Sequence, residues 1–244
     1  MRTSLLRIAF LILGVTLVMV LAIIFPSNEP PKRIKTATEI YKEADYLVYM
    51  EVAFEHKTAK LPDGTQASGV LFRHRDRYCI LTVGHIQPAN SNWEIKEIRF
   101  RFKNQPGIYY AAVHALNEEK DFAVLEILPV GGKEFIFLGK FPTFGSSSSL
   151  EIGEPVYSLG SPLETEFTFG AGIVKNKTLD NWYWGSVIIH NADIAYGSSG
   201  GPLLNQYGEI VGINRGMHTQ FTNFCSAGYI DDVMEWLKTE GGNK

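Results

Sequence analysis

From residue 45 onward the apolar positions come in short bursts, broken by turn residues, with the period of a strand rather than a helix. "DYLVYMEVAFE" (45–55) is rich in Val, Tyr, Phe and Leu, the residues that suit a pleated, half-buried surface. Further bursts fall at 69–74, 78–83, 97–102, 109–116 and 122–128, with breakers such as Pro62-Asp63-Gly64 between them. A second series occupies 155–160, 167–174, 182–190, 202–205, 209–215 and 227–230. Between the two series lies "KFPTFGSSSSLEIGE" (140–154), whose run Ser146 to Ser149 reads as a crossing linker. The period changes only at the end: "IDDVMEWLKT" (230–239) sets Val233, Trp236 and Leu237 on one side of an amphipathic helix. Two groups of about six short strands predict an all-β fold of two antiparallel six-stranded β-barrels with a C-terminal helix. The first barrel is expected over about 45–139 and the second over about 150–239, together one domain of 45–239.

The first 44 residues follow another rule. Residues 8–25, "IAFLILGVTLVMVLAIIF", carry no charge and follow Arg2 and Arg7. A hydrocarbon core about 30 Å thick needs roughly 20 apolar residues. This run exceeds the apolar core of a signal peptide and no small-x-small cleavage site follows it. Residues 1–25 are therefore expected to be an N-terminal transmembrane helix, a single-pass anchor that is retained. The Pro-rich, charged segment 26–44 is expected to be a linker, with a short helix near 36–44 capped by Thr36 or Thr38. Lys32, Arg33, Lys35 and Lys42 follow the span and by count favour the opposite topology. Long domains translocate largely regardless of nearby charge, so the domain is expected outside the cytoplasm.

The chain has 244 residues, of which 45% are hydrophobic, enough for full cores. Net charge is −3 with no basic block, so nucleic acid is not an expected partner. Cys79 and Cys225 have neither metal-ligand spacing nor the number for a disulfide framework; one bridge or two buried thiols remain open. No metal or cofactor is expected, since His56, His74, His114, His190 and His218 form no spaced cluster.

Three short stretches carry the candidate chemistry. In "GSSGGP" (197–202), glycines permit the tight turn that would hold a serine hydroxyl out into a cleft. In "YCILTVGHI" (78–86) an apolar strand runs straight into His85, at what would be a barrel edge. In "EEKDFAVLEI" (118–127) Asp121 opens another apolar strand. Each is ordinary alone: a Gly/Ser linker, a surface histidine, a strand-initiating acid. Together they supply a nucleophile, a base and a group to orient the base.

The order His85, Asp121, Ser199 resembles that of the trypsin-like, chymotrypsin-fold serine peptidases, and most of all their Deg/high-temperature-requirement branch. The similarity extends to "ASGVLF", "ILTVGHI", "DFAVLEI", "IGEPVYSLGSPL", "GAGIV" and "GSSGGPLLNQYGEIVGIN", in the family's order over roughly 45–237. The resemblance implies that Ser199 attacks the scissile carbonyl, His85 shuttles its proton and Asp121 fixes the imidazole. It implies an oxyanion hole made by the backbone N–H groups of Gly197 and Ser199. The family frame, a glycine two before the nucleophile and two after, selects Ser199 over Ser198. Departures are Gly84 where alanine is usual, Ser198 where Asn or Asp is usual, Ala195-Tyr196 for the usual Asn-Pro, and no room before Lys244 for a PDZ domain.

Asp193, six residues before Ser199, would sit at the base of a specificity pocket and favour Lys or Arg beside the scissile bond, or would be a plain loop acid. "GINRG" (212–216) resembles the strand that pairs with substrate backbone, with Ile213, Asn214 and Arg215 as contacts or Arg215 as a solvated rim charge. The expected partner is a protein or peptide substrate, cleaved by a membrane-anchored serine endopeptidase. The alternatives are an inactive descendant of the fold serving as a binding or sensor module, and an adhesion domain in which the GSSGG loop is merely flexible.

Overall fold

The computed structural model describes residues 32–161, 167–182, 185–217 and 224–239, without the side chains of 179–185. Residues Ile34–Lys244 form one compact unit and Met1–Arg33 another, nearly all of the latter outside the described residues. The anchor expected at 8–25 lies there too; among the described residues no helix is long and apolar enough to cross a membrane.

The first barrel is closed. Its strands are β1 (Leu47–His56), β2 (Pro62–His74), β3 (Arg77–Val83), β4 (Trp93–Phe102), β5 (Tyr109–Asn117) and β6 (Phe122–Ile127), in the order β1-β2-β3-β6-β5-β4, with β1 and β4 closing the ring. β3 is buried from Cys79 to Val83 on both faces, which is why its sequence is a continuous apolar run instead of an alternation. Each large apolar side chain removed from water there contributes about 1.5–3 kcal/mol.

The second half uses β7 (Thr143–Phe144), β8 (Pro155–Gly160), β9 (Thr168–Trp182), β10 (Gly185–His190), β11 (Pro202–Asn205), β12 (Glu209–Met217) and β13 (Cys225–Tyr229). Six of these close a ring in the order β11-β8-β9-β10-β13-β12, sealed by the β11–β12 pairing. β7 adds a seventh, parallel strand outside the ring, beside Glu209 and Ile210 of β12. All strands of the two rings pair antiparallel, and the all-β architecture with a C-terminal helix stands as expected.

The short helix expected near 36–44 is present with Thr36 as its cap, and the crossing segment read as a linker is structured too. Helix α1 (Ala37–Glu43) opens on a capping box: Thr36 Oγ1 accepts from the Glu39 N–H at 3.2 Å, and Glu39 Oε2 accepts from the Thr36 N–H at 2.8 Å. Its Ile40 is buried in the main core, so this part of 26–44 packs with the domain. In the crossing segment, buried Ser147 donates to the Val211 carbonyl at 2.6 Å and accepts from the Ile230 N–H at 2.7 Å. The serine run thus caps helix α2 (Ile230–Thr239), which buries Ile230, Val233, Trp236 and Leu237. Cys79 and Cys225 are both free and buried, one in each half.

Candidate active site

Strand register brings the first two candidate groups together. β3 and β6 pair antiparallel with Val83 opposite Phe122. His85 lies two residues beyond Val83, in a 3₁₀ turn over Gly84–Ile86, and Asp121 lies one residue before Phe122. Asp121 takes a left-handed backbone with φ 52°, a conformation a short polar side chain tolerates and most residues avoid. That twist points its carboxylate at the turn. Oδ2 lies 2.9 Å from His85 Nδ1, and Oδ1 accepts the His85 backbone N–H at 2.8 Å. Asp121 is only 3% exposed while the His85 side chain is 41% exposed, so the acid is shut away and the imidazole faces the cleft. Gly84 sits tightly against this pair: a Cβ there would lie 3.2 Å from Asp121 Oδ1 and from Leu116.

The third group comes from the other half. Ser199 lies in the loop between β10 and β11. It lines a cleft of about 110 Å³ together with His85, Thr65, Gln66, Ala67, Val83, Ile86, Tyr196 and Gly197. Its Oγ donates to the Arg215 carbonyl at 2.9 Å. Ser198 is turned inward, 3% exposed, and its Oγ accepts from the Ala195 N–H at 3.2 Å. Of the two serines, Ser199 is the one that lines this cleft with His85.

Barrel one grips this loop. Ser68 of β2 donates its N–H to the Ser199 carbonyl at 2.7 Å and its Oγ to the Gly197 carbonyl at 2.8 Å. The same Oγ accepts from the Ser161 N–H at 2.9 Å. Thr82 Oγ1 in turn donates to the Ser68 carbonyl at 2.8 Å. Gly200, at φ 88°, passes so close that a Cβ would lie 2.1 Å from both the Ser68 carbonyl oxygen and Thr82 Oγ1. Ser68 and Thr82 do not stand out in the sequence. Their only signal is a hydroxyl at a strand position whose neighbours are all buried.

Burial overturns the reading of Arg215 as a solvated rim charge and limits what its strand neighbours can offer. Ile213 and Asn214 are 0% exposed and Arg215 is 2% exposed, so none presents a side chain to a substrate or rim. The backbone of Asn214 is also committed: its carbonyl accepts from Gly200 N–H and its N–H donates to the Gly201 carbonyl, both at 2.8 Å. Its Nδ2 donates to the Pro202 carbonyl at 3.2 Å. β11 ends against Ile213, so among the described residues no strand pairs with that edge of β12 at Gly216 and Met217, the latter 50% exposed. Asp193 is exposed and does not line the Ser199 cleft; its carbonyl accepts from Ser158 Oγ at 2.6 Å. His190, at the end of β10, is fully buried, and that burial pulls its pKa down to about 4, only partly offset by a contact with the Ala192 backbone. Among the described residues no group of three His, Cys, Asp or Glu side chains could hold a metal ion.

Two rings of strands with an Asp-held histidine facing a loop serine define the class: the architecture of chymotrypsin-type peptidases. Residues 67–213, more than half the chain, match the family described as "Trypsin-like peptidase domain", and the chain belongs to that family. A protein of Hahella chejuensis named "Probable periplasmic serine endoprotease DegP-like" is 39% identical over 140 residues, which span 52% of this chain and 28% of that protein. "Serine protease HTRA3" of Homo sapiens is 28% identical over 187 residues, spanning 73% of this chain and 39% of the human protein. The solved structure of the HtrA-type protease AlgW with a tripeptide superposes with a TM-score of 0.66 at 19% identity, over 84% of this chain and 63% of that one. The chain therefore matches between about a quarter and two-fifths of the length of these curated relatives.

Proposed function

We propose that the chain is a serine endopeptidase that hydrolyses peptide bonds through Ser199, His85 and Asp121. The observation that carries this reading is the doubly held His85: one carboxylate takes both its ring N–H and its backbone N–H, leaving Nε2 toward the cleft that Ser199 lines. With Nδ1–H donating to Asp121, the ring is fixed in the tautomer whose Nε2 is basic. The Ser199 hydroxyl rests on the Arg215 carbonyl. A side-chain rotation, a picosecond to nanosecond event at an exposed position, turns it to His85 when a carbonyl carbon arrives.

In this mechanism His85 takes the Ser199 proton as the Oγ–carbon bond forms. It then gives that proton to the departing amine as an acyl-enzyme is left, and water repeats the cycle. The N–H groups of Gly197 and Ser199 stabilise the oxyanion; loss of one such donor costs about 2.7–4 kcal/mol of barrier. Substrate backbone adds beside Gly216 and Met217, where no other strand among the described residues pairs with that edge of β12. A groove of about 670 Å³ shares Thr65, Gln66 and Tyr196 with the reaction cleft and takes more of the extended chain in this reading.

The domain, 45–239 with α1 docked on it, is held at a membrane by residues 8–25 through a short linker, on the extracytoplasmic side. The uncharged run supports the anchor, and the periplasmic description of the Hahella relative supports the side. Incubation of the full chain with a peptide library tests the activity. Cleavage that disappears in Ser199→Ala is expected; cleavage that persists in that variant, or none from folded wild type, would contradict it.

A further inference from the structure

Arg215 is among the largest fully buried side chains of the described structure, with a side-chain exposure of 0%. A cation is rarely hidden so completely without a built slot. Here the slot has three walls. Arg215 Nε lies 4.0 Å from Asp121 Oδ2. Its Cζ lies 4.6 Å over the Phe122 ring, a cation–π geometry. A terminal nitrogen donates to the Lys120 carbonyl. The remaining side is opened by Gly228 of β13, where a Cβ would fall 2.4 Å from the guanidinium carbon. Burial pulls the Arg215 pKa down to about 10, with Asp121 and then Asp232 pulling the other way, so the group stays charged at neutral pH. The backbone of the same residue accepts the Ser199 hydroxyl.

We propose that Arg215 is a positioning residue of the reaction centre: its guanidinium packs beside the Asp121 carboxylate that holds His85, while its carbonyl sets the resting rotamer of Ser199, so one residue bears on both partners of the histidine. This rests on the assignment of His85, Asp121 and Ser199 given above.

The test is the low-field ¹H NMR signal of the His85 ring N–H bound to Asp121, read at one pH in the full-length protein in detergent micelles and identified by its loss in His85→Gln. Arg215→Met fills the slot without charge and keeps the carbonyl; Arg215→Lys keeps the charge. The signal is expected to shift or vanish in Arg215→Met and to stay at the wild-type position in Arg215→Lys. Should methionine leave the chain unfolded, Arg215→Gln, which retains a donor for the Lys120 carbonyl, answers the same question. An unmoved signal in a folded neutral variant overturns the proposal, and so does unfolding of both, which would make Arg215 purely structural. The signal needs no turnover, so a wild type that cleaves nothing counts against the peptidase reading and leaves this result separately readable.

Discussion

Val83 and Phe122 face each other across β3 and β6, and that single pairing puts the ring of His85 against the carboxylate of Asp121. The strand ends, rather than the loops, set the distance. A one-residue slip of β6 would send each of its side chains to the opposite face, misfit the packing on both sides and carry Asp121 away, so the burial of the strand also enforces the site.

Asp121→Asn keeps the shape of the acid and removes its charge, and lets the histidine adopt the wrong tautomer. Peptide cleavage is expected to fall roughly 10⁴-fold in kcat, with the far-ultraviolet circular dichroism unchanged. Activity near wild type in a folded Asp121→Asn protein would remove the carboxylate from the mechanism.

Ser68→Ala should act on both stability and activity. It deletes the hydroxyl that satisfies the Gly197 carbonyl and the Ser161 N–H, both in the buried junction between the barrels. Leaving such groups unpaired costs about 1–3 kcal/mol, which a urea midpoint reads directly. Because the Gly197 carbonyl belongs to the loop that presents Ser199, the rate of cleavage should fall as well.

Two glycine replacements separate close approach from backbone strain. Gly131→Ala meets no atom within 4 Å and carries only the cost of φ 60°, about 1–2 kcal/mol. Gly200→Ala carries the same kind of cost at φ 88° and also drives a methyl onto Ser68 and Thr82 at 2.1 Å. Thermal unfolding should show a small drop for the first. The second should either fail to fold or fold with the serine loop displaced and cleavage abolished.

Much of the scaffold was legible because its strands obey local rules. β8 and β11 lie at 155–160 and 202–205 as expected, and α2 at 230–239, since each is an unbroken apolar or amphipathic burst between turn residues. Arg215 was not legible: in "EIVGINRG" a charged residue near a strand end ordinarily points outward, and the acid that draws it inward belongs to the other barrel. The same holds for Ser147, whose role as a helix cap depends on a helix some 80 residues later. β7 pairs through only two residues, too few to produce a pattern. In each case a contact distant in sequence overrides the local reading.

His190 gives a pH prediction. Its folded pKa is depressed from 6.5 to about 4 by burial, so the unfolded chain takes up a proton that the folded chain refuses. The stabilising effect of the neutral ring is fully present above pH 6.5 and is lost as the pH falls from there to about 4, at about 1.4 kcal/mol per unit of depression. Urea midpoints followed from pH 7 to pH 4 should decline more steeply in wild type than in His190→Leu. Parallel curves would show that His190 is protonated within the fold.

The most direct measurement is fluorophosphonate labelling of the full-length protein, with the adduct located by mass spectrometry. A single adduct on Ser199 is expected, absent in Ser199→Ala, retained in Ser198→Ala and strongly slowed in His85→Gln. An adduct on Ser198, or none on correctly folded wild type, would contradict the assignment of the nucleophile and the hydrolytic mechanism built on it.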